Sequence, residues 1–158
     1  MGTTLLTLLE VWFMLKVSVS LDELCDAYEM NSDEISHYLD VNTGEILMRM
    51  DPLLTGYKDG DLEEELEDEE RYLELPTIAS RDAYGLMVDF VEIVTSTELQ
   101  DRLNTALNGR KPFRTFKDVL FDFPEEREKW FKFERETHRR EILQWLEDEN
   151  ITIEQNKI

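Results

Sequence analysis

Residues 35–50 read ISHYLDVNTGEILMRM and decide the fold class of this chain. In the first run, Ile35, Leu39 and Val41 lie an even number of positions apart, which is the side-chain period of a half-buried strand. After a short loop the alternation continues with Ile46, Met48 and Met50. Gly44 in the loop supplies the positive φ that a bulged turn requires. The stretch therefore predicts an antiparallel β-hairpin.

Both flanks of the hairpin carry signals of regular structure. Ser20 precedes an apolar-periodic run over residues 21–29, and Glu23 follows it three residues later. This is the spacing of a capping box, so the run predicts a helix. Downstream, residues 71–76 (RYLELP) predict a third strand that pairs with the hairpin and ends at Pro76.

The second half of the chain predicts about four helices, because its apolar residues recur at the spacing of a core-facing helix. The segments open at Ser80, at Ser96 or Thr97, at Pro112 and at Pro124. We therefore predict an α+β fold. It consists of an N-terminal helix, an antiparallel β-hairpin plus a third strand, and a C-terminal bundle of about four helices packed through aromatic side chains.

The composition describes an acidic globular protein. The 158 residues include 41% hydrophobic residues, too many for a disordered chain, and carry a net charge of −20. Residues 1–79 contribute −16 of this charge and residues 80–158 contribute −4. Such a charge repels nucleic-acid backbones and anionic membranes, so we expect a protein partner, do not expect nucleic acid, and expect no membrane.

The charge is most concentrated in residues 59–74, where ten acidic residues face Arg71 alone. Carboxylates one to four residues apart oppose a stable helix, so we expect residues 59–70 to form a solvated, mobile loop. Three alternatives remain open. The run docks on a basic partner surface, it folds back over residues 110–117 as an autoinhibitory lid, or it imitates nucleic-acid phosphates, which would require a rigid surface.

The domain organisation follows from these signals. We expect one α+β domain over residues 14–151, with the acidic loop 59–70 inside it and a tail over residues 152–158. The end of the chain from Ile151 onward is interpreted as a short strand or a frayed end. Residues 1–13 are mostly apolar but shorter than a membrane span, and we interpret them as an N-terminal extension from an upstream start codon; the alternative is a short helix docked on the domain. The single cysteine, Cys25, favours a reducing compartment, the cytoplasm, and its apolar neighbours predict a core position.

Residues 109–120 (GRKPFRTFKDVL) place bases among aromatic residues. Helical spacing puts Arg110, Arg114 and Lys117 on one face and the phenylalanines on another. Free amides at the helix start add to the side-chain charge, so these three residues are candidate partner-binding residues on an anion-binding patch. The alternative is a solvated basic face that pairs with the protein's own acids. Bases between Arg127 and Arg140 would widen the patch if the last two helices lie antiparallel.

Catalytic motifs are missing from the sequence. His37 and His138 lie on segments of different type, and no nucleophile motif, glycine-rich phosphate loop or zinc-binding histidine pair accompanies them. We interpret His37 as a half-buried, hydrogen-bonded group and His138 as a core-edge group. No catalytic residue, cofactor or metal is expected, and the chain is more typical of a binding protein than of an enzyme.

Several motifs resemble those of a known family. They are Asp26–Met30, Tyr38–Asp40, Thr43–Glu45, Leu103–Leu107, Gly109-Arg110, the Phe-Arg-x-Phe-Lys-Asp-x-Leu element at 113–120, Trp130-Phe131-x-Phe133 and Trp145–Glu147. Together they resemble the bacterial uncharacterised protein family 0158 of the UPF series, over about residues 17–151. Lys111-Pro112 departs from the small residue expected after Gly-Arg. The resemblance implies a small cytosolic bacterial protein and brings no reaction, cofactor or catalytic residue.

These observations lead to one main hypothesis and two alternatives. The main hypothesis is a non-enzymatic interaction module that binds a protein or another ligand through the basic–aromatic helices, gated by the acidic loop. The first alternative is nucleic-acid contact through Arg110, Arg114 and Lys117. The second is an enzyme that uses carboxylates in a cleft.

Overall fold

A computed structural model describes residues 14–153 of the chain. Within this range the strands are β1 (Leu15–Val17), β2 (Ile35–Asp40), β3 (Ile46–Met50), β4 (Tyr72–Glu74) and β5 (Ile151–Ile153). The helices are α1 (Leu21–Met30), α2 (Pro52–Thr55), α3 (Gly60–Glu65), α4 (Ser80–Ile93), α5 (Thr97–Leu107), α6 (Pro112–Phe121) and α7 (Pro124–Asp148). The predicted α+β class is confirmed, with four helices in the C-terminal half.

The chain divides into two compact units. The first contains residues 1–77 and 138–158, of which 14–77 and 138–153 are described, and the second contains residues 78–137. The division falls within α7. The N-terminal extension predicted for residues 1–13 lies outside the described residues, as does the tail beyond residue 153. No helix within residues 14–153 is long and apolar enough to cross a bilayer.

The first unit contains the predicted hairpin and third strand. β2 pairs antiparallel with β3 and with β4, giving the sheet order β3-β2-β4. In this register His37 lies opposite Met48 and Leu39 lies opposite Ile46. One face of the sheet therefore carries the apolar set that the alternation predicted.

The turn of the hairpin has the backbone that its glycine predicted. Gly44 adopts φ +80°, in the left-handed region. A side chain at this position would also collide with the backbone, because an added Cβ would lie 2.0 Å from the carbonyl oxygen of Ser18. Gly44 is thus required for its conformation and for the close approach of the chain at Ser18.

α1 is capped as predicted. The Glu23 amide donates to Ser20 Oγ at 3.0 Å, and the Ser20 amide donates back to the Glu23 carboxylate at 3.4 Å. Its inward face includes Leu24 and Cys25, both fully buried. The predicted core position of Cys25 is confirmed.

Two parts of the first unit add to what the sequence indicated. At the end of the described chain, the short strand that was one interpretation of residues 151–158 is β5, which pairs parallel with β1. The acidic run, expected as a mobile loop, contains α3. Two contacts offset the repulsion between its carboxylates: Asp59 caps the helix by accepting from the Leu62 amide, and Glu63 accepts from Arg49 Nε at 2.5 Å.

The second unit has a core of aromatic and aliphatic side chains from α4 to α7. Phe116 and Trp130 lie at its centre, with ring centroids 5.0 Å apart, and Phe90 contacts both rings. The rings meet edge to face, the favoured arrangement of aromatic pairs. Packing through aromatics, predicted from the sequence, is confirmed here. α4 differs in one detail: Ala79, not Ser80, is its N-cap, and no side chain caps it.

Candidate functional site

The three predicted partner-binding residues lie at or near α6, in the second unit. Arg114 and Lys117 belong to the helix, whereas Arg110 lies two residues before it, so the predicted helical spacing does not extend to Arg110. Arg110, Arg114 and Lys117 are all exposed. The helix begins abruptly, because Lys111 takes a left-handed backbone at φ 49° and Pro112 occupies the first turn. No side chain caps the helix, so the positive end of its dipole is added to the charge of the bases.

One of these three bases has a carboxylate partner. Arg114 lies 4.0 Å from Asp118 on the same helix, and both side chains are more than two-thirds exposed. Among residues 14–153, no carboxylate lies within ion-pair distance of Arg110 or Lys117. An exposed pair at 4.0 Å contributes little, so the basic face is largely available to a ligand.

A groove of about 410 Å³ adjoins this basic face, between α5 and α6. Its lining combines apolar side chains, two hydroxyls, two guanidinium groups and one carboxylate, and the residues are Asp101, Arg102, Thr105, Ala106, Gly109, Arg110, Thr115 and Val119. Arg110 belongs both to the groove and to the predicted basic face. The groove was not predicted, because it depends on the packing of α5 against α6.

Arg102 at the groove is positioned by two neighbours. Its guanidinium lies 5.3 Å from the centroid of the Phe123 ring and 3.4 Å from the Asp122 carboxylate. Thr115 and Thr105 use their hydroxyls to donate to the backbone carbonyls of Arg110 and Asp101. Each hydroxyl oxygen keeps its acceptor capacity. The groove can therefore receive an anionic group beside an apolar one.

The bases of α7 have contacts of their own. The Arg127 guanidinium lies over the rings of Phe121 and Phe131, at 5.4 and 5.2 Å from their centroids. Lys129 donates to Glu126 at 3.0 Å, and in the first unit Arg139 donates to Asp22 at 2.6 Å. These contacts favour a stabilising role for the α7 bases over an extension of the α6 patch.

Both histidines lie in the first unit as buried, hydrogen-bonded groups. Asn31 Nδ2 donates to the Pro76 carbonyl, which leaves its Oδ1 to accept from His37 Nδ1 at 2.6 Å. The proton of neutral His37 therefore lies on Nδ1, and burial lowers the pKa of the ring. The interpretation of His37 as hydrogen-bonded holds, although the ring is buried rather than half-buried.

His138 has a comparable place. Its Nδ1 lies 2.9 Å from a Glu29 carboxylate oxygen, and its ring packs edge to face on Tyr28, whose hydroxyl donates to Glu141. The ring is buried, as its position at the core edge predicted. Within residues 14–153, no three His, Cys, Asp or Glu side chains are grouped to hold a metal ion.

The sequence analysis did not predict the ion pair between Asp40 and Arg71 in the first unit. Arg71 Nε and Nη2 donate to the two carboxylate oxygens of Asp40, at 3.1 and 2.9 Å. This bidentate pair lowers the pKa of the buried Asp40 to about 2. In the alternation of β2, residue 40 belongs to the set of positions with polar side chains. Its partner Arg71 lies 31 residues away in the sequence, so the pair becomes apparent only once β2 is paired with β4.

The comparisons with known proteins agree on one family. The profile of the uncharacterised protein family UPF0158 matches residues 14–157. A UPF0158 protein of Pseudomonas aeruginosa is 34% identical over 139 residues, which cover 87% of this chain and 87% of the relative. No solved structure gives a significant match.

Proposed function

We propose that this protein, which belongs to the uncharacterised protein family UPF0158, is a small non-enzymatic binding module. Its ligand is an acidic group on a partner protein, bound by Arg110, Arg114 and Lys117 and by the groove between α5 and α6. The cytoplasm is its proposed location, supported by the presence of one cysteine in the sequence, the buried Cys25, which excludes a disulfide within the chain.

One observation carries the proposal. Arg110 is exposed just before the uncapped start of α6 and lines the groove, Lys117 is exposed farther along the helix, and within residues 14–153 neither has an ion-pair partner. In a chain with 37 acidic residues, two such bases beside Arg114, whose one pair is exposed and 4.0 Å long, are unexpected unless an outside group approaches them. The apolar lining of the groove, with Ala106 and Val119, adds area for side chains next to that group.

The first experiment uses a glutamate-rich peptide as the probe. We expect its addition to shift the amide resonances of residues 109–119 in a two-dimensional NMR spectrum. R110A/R114A/K117A should weaken binding about tenfold or more, because charge-assisted hydrogen bonds are lost. The matched control K16A/K58A/R81A removes the same charge from exposed sites elsewhere and should bind as the wild type does.

The second experiment identifies the partner in a native host. The wild type and both triple variants are immobilised, and the retained proteins are quantified by mass spectrometry. A protein retained by the wild type and the control, and lost with R110A/R114A/K117A, is the expected result. Equal retention by all three proteins would contradict the proposal.

Nucleic acid is the second candidate, since the same bases could contact phosphates. It requires retardation of DNA or RNA at low salt that falls steeply as salt rises. The net charge of −20 opposes such contact, so we expect no retardation. An enzyme that uses carboxylates would instead turn over substrate in an activity screen with metal ions, and would lose that turnover in variants of its acids.

A further inference from the structure

A second surface, in the first unit, carries apolar side chains that the fold does not bury. Leu53 is 91% exposed, Tyr57 is 71% exposed and Leu54 is 58% exposed. All three lie on or directly after α2. Scattered exposed leucines are common, but three large apolar side chains within five residues form a patch, and such patches mark interaction sites.

The patch is held in place by local hydrogen bonds. Asp51 Oδ1 accepts from the Leu53 amide at 3.0 Å, and Gly56 closes the helix in the left-handed region at φ 69°. Beyond the helix, Thr55 Oγ1 accepts from the Tyr57 amide and donates to the Tyr57 carbonyl. The leucines and the tyrosine are therefore presented on an ordered turn.

The surroundings of the patch are acidic. Residues 51–70 contain ten acidic residues and one base, Lys58. Eight of these acids are exposed: Asp59, Asp61, Glu64, Glu65, Glu67, Asp68, Glu69 and Glu70. α3 and its bridge from Glu63 to Arg49 order part of this run directly after Tyr57. The apolar side chains of residues 53–57 are thus followed along the chain by the exposed carboxylates, and α3 orders the first of these.

Charge decides which occupant fits this surface. The first unit of a second copy, with 25 acidic and 7 basic residues, would be repelled from this surface. Residues 1–13 have apolar side chains but one acid, Glu10, and no base, so they leave the carboxylates without partners. A segment with apolar residues on one side and Lys or Arg beside them satisfies both parts of the surface.

We propose that Leu53, Leu54 and Tyr57, with the exposed carboxylates of residues 59–70, form a docking surface for a basic amphipathic segment of a partner protein. This surface is separate from the basic face of α6 and opposite in charge. The two surfaces together would let the protein hold two partners of different charge.

The binding test uses a labelled model peptide of about 18 residues built from Lys and Leu at helical spacing. We expect L53S/L54S to raise its Kd about tenfold or more. The matched control I93S/L143S, which removes two other exposed apolar side chains, should change Kd less than about twofold. A peptide with Glu in place of Lys should not bind.

A second set of variants, in which carboxylates are neutralised, tests the contribution of charge to binding. E64Q/E65Q/E67Q should weaken binding of the Lys–Leu peptide and reduce its dependence on salt, whereas D118N/E125Q/E128Q on the second unit should not. Equal Kd values for L53S/L54S and the wild type would overturn the proposal, as would binding of the glutamate peptide.

A second measurement identifies the natural occupant. A photo-crosslinking residue replaces Tyr57 in the full chain inside a bacterial host, with the same replacement at Leu143 as the control. A crosslinked peptide that is rich in Lys or Arg and in apolar residues, obtained only from position 57, supports the proposal. Crosslinks to a second copy, to residues 1–13, or to a neutral or acidic peptide would each overturn it.

Discussion

The two compact units differ most in their charge. The first unit has 25 acidic and 7 basic residues, and the second has 12 acidic and 10 basic residues. Nearly all of the net charge of −20 therefore belongs to one of them. The overall acidity therefore comes mainly from the first unit, whereas the second is nearly balanced in charge and carries the basic face of α6.

The units also differ in what fixes their packing. In the first unit, several polar side chains form hydrogen bonds with one another. The pairs are Asp40 with Arg71, His37 with Asn31, and Tyr28 with Glu141. The second is organised around an aromatic cluster with large rings in edge-to-face contact. Burial of apolar area is insensitive to pH, whereas paired carboxylates are not. The same perturbation should thus affect the two units unequally.

The largest effect is expected from Phe116→Ala in the second unit. Phe116 is fully buried, and its ring contacts Phe90 and Trp130. Truncation leaves a cavity in the centre of the cluster, which costs about 3–5 kcal/mol. Denaturant unfolding followed by tryptophan fluorescence measures this loss. Hydrogen exchange should locate the reduced protection mainly in residues 78–137.

Phe121→Ala is the matched control for that substitution, on the same helix. Phe121 is 68% exposed, and the guanidinium of Arg127 lies over its ring. Its removal should cost about 1 kcal/mol or less. If hydrogen exchange rose equally in both units for Phe116→Ala, the units would unfold as one, and the contrast between them would apply to composition alone.

The next effect compares one glycine in each unit. Gly44→Ala forces an L-residue into the left-handed region and places a methyl group 2.0 Å from the Ser18 carbonyl oxygen. We expect a loss of at least about 2 kcal/mol in the free energy of unfolding. Gly85→Ala lies within α4, where nothing approaches within 4 Å, and should stabilise by about 0.5–1 kcal/mol.

Thermal unfolding of the two variants tests whether Gly44→Ala destabilises the protein and Gly85→Ala stabilises it. A neutral Gly44→Ala would mean that the turn relaxes away from Ser18 without cost. It would then no longer be a rigid feature of the first unit. A destabilising Gly85→Ala would point to a packing role for that glycine that its open surroundings do not indicate.

The sequence predicted most elements of both units, because the signals involved are local. The capping box of Ser20, the turn glycine Gly44 and the opening prolines Pro112 and Pro124 act on their immediate neighbours. Helical periodicity likewise predicted the aromatic packing of the second unit. These features agree with the structure since each is determined within a few residues.

The misses share a different physical origin. α3 forms because Glu63 pairs with Arg49, which lies 14 residues away in the sequence. Asp40 depends on Arg71, which reaches it through the β2–β4 pairing. Local charge repulsion predicted a loop at residues 59–70, and tertiary contacts outweighed it. The groove beside Arg110 is also a product of packing between helices.

The smallest of the three stability effects is expected from Asp40→Asn in the first unit, and it should depend on pH. The pKa of Asp40 is lowered to about 2 by Arg71, below the ordinary value of 3.8. A carboxyl whose pKa is depressed in the folded state stabilises it above the unfolded pKa, and this stabilisation disappears as pH falls through the folded pKa. Asp40→Asn should therefore cost about 1–3 kcal/mol at neutral pH.

The wild type and Asp40→Asn should approach equal stability between pH of about 4 and about 2, because protonated Asp40 no longer attracts Arg71. Asp118→Asn in the second unit is the control: it breaks an exposed pair at 4.0 Å and should change stability by less than about 0.5 kcal/mol at any pH. Urea unfolding across this range measures the difference between variants, which cancels the titration of the other carboxylates. A difference that stays constant down to pH 2 would show that Asp40 acts through its shape rather than its charge, and the first unit would lose its distinctive dependence on ionised pairs.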